Sequence, residues 1–204
     1  MLDSKKLLAC CADVMKENRE LLIQLDSVVG DGDLGLTMSD GFEAASKQAQ
    51  EMNEPDVGKI LYMAGKAMST AVPSTMGTLM ASGLMQAGKV LKGKTEIVDA
   101  DIATLFEAFE AGVANRGKAQ VGEKTFIDGI HPAVESIKAS VEAKEDVATI
   151  ANKALEAANE GYENTATMLA VHGRAATRGE ASRSLKDPGA YVAKLMMEAF
   201  TKSA

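Results

Sequence analysis

The residues best suited to chemistry lie in one short stretch, where three aspartates are interspersed with glycines. Asp26 comes first, and Asp31 and Asp33 follow in the segment Gly30–Gly35. Carboxylates this close together repel one another unless a cation lies between them. Mg²⁺ is typically held by a few carboxylates, while phosphate oxygens and water complete its octahedron. The spacing therefore predicts a magnesium site for a phosphate-bearing ligand, with Asp26, Asp31 and Asp33 as metal ligands.

The same glycines invite a different interpretation, a dinucleotide-binding loop. Gly30, Gly32 and Gly35 match the pattern G-x-G-x-x-G. That loop needs a preceding strand, and its bare backbone amides must meet the pyrophosphate. Here two carboxylates occupy the loop, and helical patterns follow it instead of alternating strands. The sequence argues against this interpretation.

A calcium loop of the EF-hand type also fails. If Asp31 and Asp33 took its first two ligand positions, Leu36 would stand where the loop needs glycine, and Phe42 where it needs a bidentate glutamate. The remaining alternative is a turn rich in Asp and Gly whose carboxylates only cap helices, and the loop by itself leaves that alternative open.

The elements that position this loop are predicted to be helices. Ala, Leu and Met are abundant, aromatic residues make up 4% and Trp is absent, which favours helices over strands. Apolar residues recur at three- and four-residue steps, and glycines and prolines interrupt them. We expect an all-α chain of about eight amphipathic helices in a single domain, residues 1–204. The predicted helices include one from Ser4 to about Leu25, one from about Thr37 to Met52, and one or two between Val147 and Ala176.

Composition and charge limit the classes of partner. The net charge of −7 argues against wrapping around nucleic acid, which needs clustered Lys and Arg. No apolar run approaches the ~20 residues that cross a bilayer, and the N-terminus is too polar for a signal peptide. Cys10 and Cys11 are adjacent and suit reduced thiols in a core. We expect a cytoplasmic protein with no nucleic-acid or membrane partner.

Four separated motifs stand in order along the chain. They are the aspartate loop with Thr37 and Met38, the segment Arg116–Thr125 followed by Asp128, Gly173-Arg174-Ala175 with Gly179-Glu180, and Asp187-Pro188-Gly189-Ala190. Together they resemble the nucleotide-binding domain of dihydroxyacetone kinases, often called the L subunit. The resemblance spans nearly the whole chain, and four motifs in order are more specific than any one alone.

The resemblance implies a barrel of eight antiparallel helices with the nucleotide at one end. It also implies two Mg²⁺ ions on Asp26, Asp31 and Asp33, ADP or ATP as the nucleotide, and Arg174 as a catalytic residue. The nucleotide contacts that it implies are Leu34, Gly35, Leu36, Thr37, Ser74, Thr75, Gly77, Thr78, Gly117, Phe126, Arg174, Asp187, Pro188 and Gly189.

Physical chemistry supports several of these placements. Ser74 and Thr75 precede a predicted helix, whose free amides and dipole favour phosphate. Arg174 can fork onto phosphate oxygens. Other residues with reactive side chains have simpler interpretations: His131 and His172 are expected to be structural. Lys124 and Asp128, four residues apart, are expected to form a pair on a helix surface.

The activity that the resemblance implies is phosphoryl transfer from the Mg²⁺-bound nucleotide to a short-chain ketose such as dihydroxyacetone. The ketose is held by a separate K-type subunit, so this chain alone is expected to be inactive on sugar. A phosphotransferase-system protein is the favoured phosphate donor, acting on a bound ADP, and free ATP is the alternative. A homodimer is possible. A regulatory subunit that binds nucleotide without transferring phosphate, and a relative of fatty-acid kinases, are the other functions considered.

Overall fold

A computed structural model describes all 204 residues and contains nine α-helices. Two segments of 3-10 helix, Thr165–Thr167 and Arg174–Ser182, lie between the last two α-helices. The all-α prediction is confirmed. The helices are α1 Ser4–Glu17, α2 Arg19–Val29, α3 Leu34–Glu51, α4 Val57–Ala71, α5 Thr75–Val90, α6 Asp99–Gly117, α7 Phe126–Glu142, α8 Val147–Asn164 and α9 Pro188–Ser203.

Eight of the helices form a closed ring. Helix α1 packs against α3, each helix from α3 to α8 packs against the next, and α9 returns to α1. Short connections join most successive members, which therefore run antiparallel. The eight-helix barrel that the resemblance implies is confirmed, and α2 is a ninth helix that packs mainly on α3. This alternation places the N-termini of α3, α5, α7 and α9 at the same end of the ring.

Three sequence predictions need correction along the chain. The helix expected from Ser4 to Leu25 is broken at Asn18, whose Nδ2 donates to the Val14 carbonyl at 2.9 Å and competes with the helical hydrogen bonds. Helix α3 begins at Leu34, three residues earlier than predicted. The stretch expected to stay helical to Ala176 instead leaves the α-helix after Asn164.

Small residues allow the ring helices to approach closely. An added Cβ on Gly58 of α4 would lie 2.5 Å from the Gly88 carbonyl oxygen of α5, and one on Gly88 would lie 2.5 Å from the Gly58 carbonyl oxygen. A side chain at either position would therefore force the two backbones apart. The helices enclose one continuous apolar core of 47 buried residues. None of them is both long and apolar enough to span a membrane.

Candidate functional site

A cavity of about 430 Å³ opens at the end of the barrel where α3, α5, α7 and α9 begin. This volume lies within the usual range for small-molecule sites. The end of α2, the end of α6 and part of the connection between α8 and α9 complete its wall. Its lining residues are Asp26, Val29, Gly30, Asp31, Asp33, Leu34, Ser74, Thr75, Met76, Leu79, Val113, Gly117, Ala119, Lys124, Thr125, Phe126, Ile127, His172, Gly173, Arg174, Ala175, Asp187, Pro188 and Gly189.

The three aspartates converge on one side of this cavity. Each of Asp26, Asp31 and Asp33 offers a carboxylate oxygen, and the three oxygens lie within 4.8 Å of one another. Asp26 organises the loop, because its Oδ2 accepts hydrogen bonds from the backbone amides of Gly32 at 2.9 Å and Leu34 at 3.4 Å. Gly32 has a φ of +78°, which favours glycine. The arrangement meets the geometric requirement of the predicted metal site.

Helix capping accounts for only part of this cluster. Asp33 is the N-cap residue of α3, yet its side chain accepts no capping hydrogen bond. Burial, and then the charges of Asp31 and Asp26, raise the pKa of the Asp33 carboxyl, while Arg174 opposes the shift. A carboxylate crowded by two others and free of amide donors is better suited to a cation than to holding the helix.

Arg174 reaches the cluster from the connection between α8 and α9. Its Nη2 lies 2.6 Å from Asp31 Oδ2, and its side chain is largely exposed. Arg178, from the same connection, donates to the carbonyl of Val28 near the end of α2. Arg174 thus lies beside the aspartate cluster.

Three more helix N-termini face the cavity, and all are capped by their own side chains. Ser74 accepts from the Gly77 amide at 3.0 Å, Thr125 from the Ile127 amide at 3.1 Å, and Asp187 from the Ala190 amide at 2.7 Å. The remaining first-turn amides and the helix dipoles direct partial positive charge towards the cavity. These ends favour an anionic ligand.

Asp187 has an unusual electrostatic environment. Burial of its carboxyl and the nearby charge of Asp128 raise its pKa to about 7. The hydrogen bond from the Ala190 amide and the charge of Lys124 act in the opposite direction and limit this rise. This side chain therefore changes charge near neutral pH although it caps α9.

Part of the cavity wall is apolar. Leu79 of α5, Val113 of α6 and Phe126 of α7 line it, and Gly117 lies beside Leu79. Leu79 and Val113 were not among the predicted contacts, although their spacing gave a signal. Each lies four residues from a predicted contact, Thr75 or Gly117, and so shares its helix face.

Five of the predicted nucleotide contacts do not line the cavity. They are Gly35, Leu36, Thr37, Gly77 and Thr78. The two glycines allow close packing of the backbone. An added Cβ on Gly35 would lie 2.1 Å from the Arg19 carbonyl oxygen, and one on Gly77 would lie 2.3 Å from the Val72 carbonyl oxygen. Thr37 is buried in α3, whereas Leu36 faces solvent. The other predicted contacts all lie on the wall.

The remaining polar side chains divide between the cavity and the helix packing. His172 lines the cavity and its Nε2 lies 2.6 Å from Glu123 Oε2, whereas His131 pairs with Glu110 at 2.8 Å and is not on the wall. Lys124 is 2% exposed and Asp128 3% exposed, so the predicted surface pair is wrong. Asp128 instead accepts from the Gly122 and Thr125 amides, and Lys124 donates to backbone carbonyls.

Fold and site together define an all-helical domain that carries a carboxylate cluster and a ligand-sized cavity at one end of a helical barrel. The chain belongs to the DAK2 domain family, whose model matches residues 28–202.

Among its relatives is the ADP-binding subunit DhaL of the PEP-dependent dihydroxyacetone kinase of Escherichia coli. The two are 31% identical over 95% of this chain and 92% of the relative. The L-erythrulose 1-kinase of Mycolicibacterium smegmatis is 32% identical over 93% of this chain, which matches only 32% of that longer protein.

Solved structures show the same fold. The native dihydroxyacetone kinase of C. freundii superposes with a TM-score of 0.76 over 98% of this chain at 21% identity. Its complex with AMP-PNP and Mg²⁺ gives 0.73 over the whole chain at 21% identity. This chain spans about a third of those kinases, 34% and 35% respectively.

Proposed function

We propose that this chain is the nucleotide-binding subunit of a dihydroxyacetone-type kinase and holds ADP or ATP through Mg²⁺. The observation that carries the proposal is the convergence of Asp26, Asp31 and Asp33 within 4.8 Å, beside helix N-termini that favour phosphate. An all-carboxylate donor set suits a hard cation such as Mg²⁺. Bound Mg²⁺ would offset the negative charge of the phosphates during transfer.

Polar groups of the protein contact the phosphates of the nucleotide, and apolar side chains contact its base. The backbone amides at the start of α5, next to Ser74 and Thr75, donate hydrogen bonds to phosphate oxygens. Arg174 leaves Asp31 for a phosphate and stabilises the charge that develops on it. Leu79, Val113 and Phe126 provide an apolar surface for the base.

The acceptor comes from elsewhere. His172, the histidine on the cavity wall, is already engaged by Glu123. We assign the carboxylates of the wall to metal binding or, for Asp187, to capping α9. We therefore assign the ketose and its activation to a K-type partner subunit. The relatives named as PEP-dependent in Escherichia coli and PTS-dependent in Lactococcus lactis support a phosphotransferase-system donor that rephosphorylates bound ADP.

The test begins with protein purified without added nucleotide. We expect ADP at close to one molecule per chain in the extract after denaturation, and chelation of Mg²⁺ should release it. An empty site that exchanges ATP quickly would contradict the phosphotransferase-system donor. The loaded protein is then mixed with its K-type partner and the ketose. Loss of sugar phosphorylation with every donor would overturn the kinase role and favour a regulatory subunit.

A further inference from the structure

The connection between α8 and α9, residues 165–187, is here called the strap. It carries His172, Arg174 and Asp187 to the cavity wall. The strap contains little regular structure apart from its two 3-10 segments. Something other than helix packing must therefore fix Arg174 at the cavity.

Internal hydrogen bonds close the base of the strap. The Asp187 amide donates to Thr165 Oγ1 at 3.0 Å, the Ser184 amide to the Ala166 carbonyl at 2.9 Å, and Arg183 Nη1 to the Thr167 carbonyl at 2.9 Å. These bonds join the two arms of the strap to each other. They do not join the strap to the barrel.

Lys124, in the turn before α7, joins the base of the strap to the barrel, and Arg178 contacts α2 further along the strap. Its buried ammonium donates to the carbonyls of Thr165 at 2.6 Å and Met168 at 3.4 Å, and to that of Leu185. A lysine ammonium has three donors and no acceptor, so these three carbonyls use its full capacity. Two of the carbonyls lie on the incoming arm of the strap and one on the outgoing arm. Lys124 therefore binds both arms at one point.

The buried charge of Lys124 is stabilised by its surroundings. Desolvation lowers its pKa, while the carboxylates of Asp187 and Asp128 oppose the shift. It forms no direct ion pair with a carboxylate. A buried charge is costly unless its hydrogen bonds are satisfied, and here backbone carbonyls of the strap satisfy them. The neighbouring Glu123 adds a second anchor, through His172 and through the Val171 amide at 3.4 Å.

We propose that Lys124 is a positioning residue, which fastens the base of the strap to the barrel and so holds Arg174 at the phosphate end of the cavity. The inference rests on the proposed function, because Arg174 must contact the nucleotide for its placement to matter. Lys124 itself touches three carbonyls of the protein and is assigned no contact with the reacting atoms.

The test compares Lys124→Met with Lys118→Met. Lys118 is exposed, lies in the same connection and also has a positive φ, 59° against 61°, so it controls for the loss of a lysine there. In ligand-free Lys124→Met, we expect hydrogen exchange of the amides in residues 165–187 to rise at least about tenfold, while α4 and α5 keep their protection. Unchanged exchange in the strap would overturn the inference.

Affinity for ADP with Mg²⁺ supplies the second readout. We expect Lys124→Met and Arg174→Ala each to weaken binding by roughly tenfold or more, and the double variant to be no weaker than Arg174→Ala alone within about twofold. A merely structural role would lower the melting temperature and leave the affinity of the folded protein unchanged. Additive losses would also overturn the inference.

Two further experiments distinguish failure of this inference from failure of the proposed function. If Lys124→Met does not fold, Lys124→Gln replaces it, because a glutamine amide has fewer donors than the ammonium and no charge, and faster exchange in residues 165–187 remains the expected result. If Arg174→Ala leaves ADP affinity unchanged, the role of Arg174 in the proposed function fails, whereas exchange in the ligand-free strap still decides whether Lys124 anchors it.

Discussion

The two ends of the barrel use aspartate at helix N-termini in different ways. At the end away from the cavity, Asp3, Asp56 and Asp146 cap α1, α4 and α8, and each accepts a backbone amide. The amide of Thr149 lowers the pKa of Asp146. At the cavity end, Asp33 has the same position on α3 but no capping bond, and its pKa is raised. Asp187 still caps α9 at the cavity end, so the difference lies in Asp33, an N-cap residue whose carboxylate is left available to a ligand.

The largest expected effect follows from removing the charge of Asp33. In the wild type, Mg²⁺ with ADP at a hundredfold excess over the dissociation constant should stabilise the fold by about 2.7 kcal/mol. Asp33→Asn should lose most of that stabilisation, measured by thermal melts with and without ligand. Because the folded pKa of Asp33 is raised, its ionisation destabilises the ligand-free protein as pH rises through that pKa. The ligand-free variant should therefore melt at or above the wild-type temperature at neutral pH.

Asp146→Asn is the matched control at the other end. Asparagine also caps helices well, so we expect a small change in melting temperature and an unchanged response to Mg²⁺ and ADP. An equal loss of ligand response in both variants would remove the distinction between the two ends.

Two glycines of α6 sharpen the comparison between packing and site. An added Cβ on Gly112 would lie 2.6 Å from the Ser82 carbonyl oxygen, whereas one on Gly117 would lie 3.1 Å from the flexible Leu79 Cδ2. Gly112→Ala should therefore lower stability by about 1–3 kcal/mol and leave ADP affinity unchanged. Gly117→Ala should barely change the melting temperature but weaken ADP binding by pushing Leu79 into the cavity. Melting curves measure the stability of each variant, and titration calorimetry measures its ADP affinity. Weaker ADP binding by Gly112→Ala, with unchanged binding by Gly117→Ala, would contradict the assignment of the apolar wall.

An effect that depends on pH is expected at Asp187. Its folded pKa of about 7 lies above the ordinary value of 3.8, so the protonated form contributes stability that is complete below about pH 4 and is lost as pH rises through 7. Asp187→Asn keeps an N-cap but cannot ionise. The melting temperature of the wild type should therefore fall relative to that of the variant as pH rises from about 4 to about 8. Parallel melting curves over that range would contradict the raised pKa.

The sequence predicted most of the fold because helical periodicity, glycine and proline report local structure. It also predicted the convergence of Asp26, Asp31 and Asp33, because a short glycine-rich loop leaves few alternatives. It misassigned Lys124, whose partners lie 41 to 61 residues further along the chain. Nothing in the spacing to Asp128 distinguishes a surface pair from a buried anchor. The helix break at Asn18 was missed for a related reason, since the apolar pattern continues through it.

In the proposed function, three carboxylates hold divalent metal and the metal holds the phosphates. The most direct test is a crystal grown with ADP and Mn²⁺ in place of Mg²⁺, with anomalous scattering measured to locate the metal. We predict anomalous density between Asp26, Asp31 and Asp33, in contact with the phosphates of an ADP whose base lies against Leu79 and Val113. ADP bound in the cavity with no metal at the carboxylates, or metal there with ADP bound elsewhere, would contradict the account.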